Sequence, residues 1–211
     1  MTRSAAVLVA LAATNVLAQR SRLPADLVVP VGIAALVAGA RVSGLGWDEM
    51  GLDGAALRRG LPVAATAASL TAAGVVAAAA HPWTPDVRDP VRYPTPAVAR
   101  RAVFGTIPLS VALPEEVAFR GVLDASLRRH LSPRAADFAG AVAFGAWHVL
   151  GARPVGPGPG GRALGVAATV AATALAGHGF TALRQRADSV LPAVAVHWAL
   201  NGAAATAAGG A

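Results

Sequence analysis

"SVALPEEVAFRG", residues 110–121, sets two carboxylates and a guanidinium into an otherwise apolar run. The whole chain holds three glutamates, Glu49, Glu115 and Glu116, and two of them stand side by side here. Arg120 follows four residues after Glu116. Ionisable groups at membrane depth are costly, and where they persist they pair, face a polar interior or do chemistry. The first question is therefore whether the surrounding chain belongs in a bilayer.

Composition answers it. Of 211 residues, 55% are hydrophobic and only 14% charged, with a mean hydropathy of +0.55. A soluble domain carries about 25% charged residues. The chain reads as an all-α, multi-pass transmembrane helical bundle, located in a cell membrane. Every basic residue is Arg, in an Ala- and Gly-rich background that points to a GC-rich, bacterial source and so to a bacterial inner membrane. The net charge of +7 comes from arginines scattered between apolar segments, which suits anionic lipid head groups. A nucleic-acid partner needs a clustered basic face with stacking aromatics, and neither is present. Cysteine is absent, which excludes disulfides, thiol catalysis and cysteine metal ligation.

A membrane-spanning helix needs about 20 residues. Seven segments are candidates, roughly 5–18, 24–40, 61–80, 97–119, 135–150, 163–183 and 189–208. The first reads as a retained helix; Arg3 ahead of it and Val16-Leu17-Ala18 at its end also fit a cleaved signal peptide, which would leave six. Between segments, residues 41–60 predict a short amphipathic helix at the interface. Residues 81–95 carry four prolines, with Trp83 and Tyr93 as belt aromatics. Residues 151–162, "GARPVGPGPGGR", predict an irregular loop. The whole, 1–211, reads as one integral membrane domain, with residues 97–205 as its chemical core and 1–96 as N-terminal helices and interfacial segment. Arginines divide nine against eight between the two sides, too evenly to set the orientation.

The polar residues inside the apolar segments are few: Glu115, Glu116, Arg120, His148, His178, His197 and the neutral Asn201. Glu116 and Arg120, four apart on a helix, share a face and predict an ion pair. Glu115 points about 100° away and has no local cation. An acid so placed suits a general base; a water-lined helix end is the plainer alternative. His148 closes "FGAWH", residues 144–148. The turn near "HLSP", residues 130–133, sits about midway between Glu115 and His148, so an antiparallel helix pair would put them at one depth. Together they would grip one water or one metal ion. "HWALN", residues 197–201, sets His197 and Asn201 on one face, either as donors to an oxyanion or as interhelical hydrogen bonds. His178 sits between glycines, which signal close helix contact. Asp124 and Arg128 predict an ordinary ion pair near a helix end.

Glu115-Glu116-x-x-x-Arg120, Phe144-x-x-x-His148 and His197-x-x-x-Asn201, in this order on successive apolar helices, resemble the motifs of the CPBP family. That family comprises the CAAX proteases and bacteriocin-processing or self-immunity proteins, also called Abi, and includes the type II CAAX prenyl endopeptidases. The resemblance covers about residues 97–205. It implies an intramembrane endopeptidase acting on a peptide or membrane-protein substrate. By the same resemblance Glu115 and His148 would activate water, His197 and Asn201 would stabilise the oxyanion, and Glu116 and Arg120 would orient them. Family members are described both as metalloproteases and as metal-free glutamate-type proteases. A metal-dependent version would use Glu115, His148 and His197 on one divalent ion such as zinc, although the zinc-protease signature HExxH is missing. The metal-free version gives His197 a role beside Asn201. Two other classes compete: a non-enzymatic immunity or scaffold protein of the same fold, and a proton-coupled transporter. Inverted repeats, the mark of many transporters, are not apparent.

Overall fold

The computed structural model describes residues 3–81 and 91–209, and all of their regular structure is helical. Among the described residues seven helices, with a single 3-10 turn at Val149–Gly151, follow one another: α1 (Arg3–Arg20), α2 (Ala25–Val42), α3 (Gly54–Ala79), α4 (Pro96–Arg128), α5 (Pro133–Trp147), α6 (Gly158–Ala187) and α7 (Leu191–Ala208). Of these, α2, α3, α4 and α6 are long and apolar enough to cross a membrane. α5 has 15 residues, which at 1.5 Å each is about 22 Å, short of the roughly 30 Å hydrocarbon core. Trp83 falls outside the described residues.

Apolar side chains cover the outside of the bundle as well as its core, and a few polar groups are buried among them. Leu70, Phe104, Phe138 and Leu175 project outward, while Glu116, Arg120, Ser126, Ser189 and His197 are buried. Hydrocarbon favours this arrangement, because helices in lipid gain nothing from hiding apolar side chains and much from satisfying polar ones internally. The core draws on nearly every helix: Leu11 of α1, Ile33 of α2, Phe119 and Leu123 of α4, Phe144 of α5, Phe180 of α6 and Ala193 of α7. α3 packs chiefly on α7, and α5 on α6.

Two connections depart from the sequence reading. Residues 43–53 form no interfacial helix. Gly44 and Gly51 take positive φ, 86° and 64°, which breaks any helix there. The loop instead drives Leu45 and Met50 fully into the core. A side chain at Gly51 would put its Cβ 2.7 Å from the Arg184 guanidinium carbon. Asp53 then caps α3, accepting from the Ala55 and Ala56 amides at 2.9 and 3.0 Å. In the second case the Pro/Gly stretch is partly helical, since α6 begins at Gly158. Pro157 is extended and Pro159 lies in the first turn, where a missing amide breaks no intrahelical bond.

α4 also runs on to Arg128, beyond residue 119. It is not uniformly α-helical. Ala102–Ala112 and Val117–Leu123 are π-wound, and the four residues Leu113–Glu116 between them keep α geometry. Pro108 and Pro114 each withhold an amide from the α ladder, and the Leu113 amide reaches back to the Pro108 carbonyl. Such wide turns are frequent at functional sites.

Candidate active site

Glu115 and Glu116 occupy the short α-wound stretch of α4, so adjacent carboxylates leave the helix in different directions. Each enters its own network.

Glu116 is completely buried. Arg120 Nη1 lies 3.2 Å from both its oxygens but donates a hydrogen bond to Oε1 only. Arg120 Nη2 donates to the Gly177 carbonyl at 2.8 Å. The guanidinium also lies 4.1 Å from the Phe144 ring centre and 5.1 Å from that of Phe180, so aromatic faces replace its water. His197 completes the network. Its Nδ1 is 2.8 Å from Glu116 Oε1, and its ring stacks on Phe180 at 5.2 Å. A carboxylate accepts, so Nδ1 carries the proton and Nε2 is the nitrogen left over. Glu116 thus bridges Arg120 and His197, a contact the i,i+4 spacing alone does not announce. Gly177 makes this approach possible: a Cβ there would fall 2.9 Å from both Arg120 Nη2 and the Phe144 ring.

Glu115 is built differently. Its Oε1 accepts the indole N–H of Trp147 at 3.0 Å. Its Oε2 is buried, accepts no hydrogen bond, and lies 3.9 Å from His148 Nε2. His148 caps the C-terminal end of α5, and its Nδ1 is 2.8 Å from the Phe144 carbonyl. A carbonyl can only accept, so Nδ1 carries the proton and Nε2 of the neutral ring presents a lone pair. Two acceptors therefore face each other across a gap wider than a hydrogen bond. A group with two protons to donate would satisfy both.

Asn201 lies one turn beyond His197 on α7 and makes no hydrogen bond to the other named residues. It lines a cavity of about 460 Å³ with Tyr93, Ile107 and Val111. His178 is exposed on α6, while its neighbour Gly177 makes the close contact. Asp124 and Arg128 pair at 2.9 Å. The sequence reading did not single out Trp147 or Asn15. Trp147 reads as core in an apolar helix. Asn15, an amide inside an apolar segment, was the available signal; its Nδ2 donates to the Trp147 carbonyl at 2.7 Å. Among the described residues, no three His, Asp or Glu side chains converge to hold a metal ion. Glu115 and His148 offer two donors, and His197, with Nδ1 on Glu116, keeps its Nε2 free.

A family model, described as Type II CAAX prenyl endopeptidase Rce1-like, matches residues 97–203, half of the chain and all three motifs. The chain belongs to this Rce1-like family. No curated protein and no solved structure matches it. Membership makes it a membrane protein of an endopeptidase family, with a peptide or protein as substrate. The Rce1-like match begins at α4, so α1, α2 and α3 lie outside it.

Proposed function

We propose that the protein is an intramembrane endopeptidase in which Glu115 and His148 activate the hydrolytic water. The observation that carries this reading is the pair of facing acceptors, Glu115 Oε2 and His148 Nε2. A water donating one hydrogen to each would sit about 2.8 Å from both, with an oxygen lone pair free for attack. Glu115 takes the water proton as the oxygen adds to the scissile carbonyl carbon. The C–N bond then breaks, and the same proton passes to the leaving amine. The water's second proton leaves the new carboxyl by way of His148 Nε2 for the amine, so the products are one carboxylate and one ammonium. On the opposite side, the oxyanion would be met by His197 and Asn201. His197 serves as a donor only with a second proton on Nε2, a charge that Glu116 at Nδ1 would balance. Arg120 keeps Glu116 in place for that task.

Glu115 and His148 face each other as two donors, and no step here is routed through a metal. The substrate is a peptide or membrane-protein segment, and the setting proposed is the inner membrane of a bacterium.

The test uses the purified chain in detergent and a pool of fluorescence-quenched peptides, with and without chelator. Glu115→Gln and His148→Ala each abolish cleavage while the protein still elutes as a folded species. Wild-type rates in both variants would sink the mechanism and leave a binding or scaffold role. Cleavage by the wild type survives chelation; complete loss restored by zinc would instead require a metal.

A further inference from the structure

The hydrogen bonds around Glu115 reach outside the region the family model covers. Oε1 is held by the Trp147 indole, and the Trp147 carbonyl is held in turn by Asn15 of α1. Trp147 ends α5, so its carbonyl is among the last four that no intrahelical amide can reach. The Asn15 amide supplies that missing donor from a buried position. The same turn carries His148 at its cap. The Trp147 ring is wedged edge-on against Phe119 at 5.6 Å, which fixes where its N–H points.

We propose that Trp147 and Asn15 are positioning residues for Glu115. The indole N–H occupies Oε1 and so leaves Oε2 as the oxygen that faces His148. The Asn15 amide pins the α5 terminus, and with it both Trp147 and His148, against α1. A carboxylate with both oxygens free would rotate, and the water would meet it in several geometries, few of them productive. The proposal rests on the reading of Glu115 as the acid that activates water. It assigns a working part in the site to α1, which lies outside residues 97–203.

Two measurements test it. The first needs no substrate: the isotope-labelled indole N–H of Trp147 is followed by magnetic resonance in detergent. Glu115→Ala shifts that resonance, because it removes the acceptor; an unmoved resonance overturns the proposal whether or not Glu115 is catalytic. The second uses the quenched peptide pool. Trp147→Phe keeps a ring against Phe119 but loses the donor, and kcat falls about tenfold with KM unchanged. Asn15→Leu, similar in shape and without a donor, gives a smaller fall in kcat, and Asn15→Gln restores part of it. Wild-type kcat in Trp147→Phe, with Glu115→Gln inactive, would overturn the proposal and leave the Glu115 mechanism standing. Wild-type cleavage by Glu115→Gln would sink the mechanism and the positioning role with it, while the resonance still decides the hydrogen bond.

Discussion

Adjacent glutamates with the same chemistry are given opposite work by their neighbours. Glu116 has a cation on one side and an imidazole on the other, and Glu115 has an indole and an empty-handed oxygen. Conservative amides therefore separate them. Glu115→Gln loses cleavage with little loss of stability, since Trp147 can still donate to the amide oxygen. Glu116→Gln strands the Arg120 charge in the core, and breaking a buried pair in this way costs about 3–5 kcal/mol. Thermal unfolding in detergent, read beside turnover, checks both. The i,i+4 spacing was enough to read the Glu116–Arg120 pair from the sequence. The His197–Glu116 contact was not legible, because it joins residues 81 positions apart and depends on how α7 packs against α4. Trp147 escaped for a different reason: an indole in an apolar helix looks the same whether its N–H is idle or engaged.

At the scale of helices, the decisive approach is α6 against α4 and α5. Gly177 lets the Arg120 guanidinium reach a backbone carbonyl between aromatic rings. Gly177→Ala forces a Cβ into that contact and destabilises the bundle by about 1–3 kcal/mol, as overpacking does. It also lowers turnover, because Arg120 and then Glu116 are displaced. Gly179→Ala is the control, since nothing lies within 4 Å of a Cβ there. In contrast to the helices themselves, their ends were poorly legible. Hydropathy marks where a chain is apolar, whereas the ends depend on local devices: Asp53 starting α3 at Gly54, Pro159 admitted to the first turn of α6, and an α4 that continues through buried Asp124 and Ser126. Two prolines inside α4 likewise gave no advance sign of π winding on both sides of the acids.

Across the whole molecule, one end is tied by a lattice of ion pairs. Arg129 holds Glu49 at 2.5 and 2.8 Å and the Gly44 carbonyl at 2.8 Å, while Arg184 holds the Glu49 carbonyl at 2.9 Å. Arg59 pairs with Asp188 at 3.0 Å. The Arg129 hydrogen bonds, aided by the Gly46 amide, hold the Glu49 carboxyl below its ordinary value. A group depressed in the folded state stabilises fully above its unfolded value and loses that contribution as pH falls through the folded one. Wild type therefore unfolds at a higher temperature than Glu49→Gln at neutral pH, and the difference closes in acid. Glu49 is partly exposed, so the gap is at most about 1 kcal/mol and shrinks with salt. Melting curves across pH and ionic strength measure it. Seven helical segments and their order were readable from apolar runs alone, because hydrocarbon leaves a chain few alternatives to helix. The loop that tucks Leu45 and Met50 inward was not, since its two positive-φ glycines look like any others in a Gly-rich chain.

The bond from Asn15 to the Trp147 carbonyl bears on how such proteins can be recombined. A chimera that grafted residues 97–203 onto the amino-terminal half of another relative would inherit every motif residue and still lack one donor. Unless the new first helix offered an amide at the same height, the hybrid would insert and pack, yet turn over slowly. Its repair would be a single polar substitution in a segment that carries no motif.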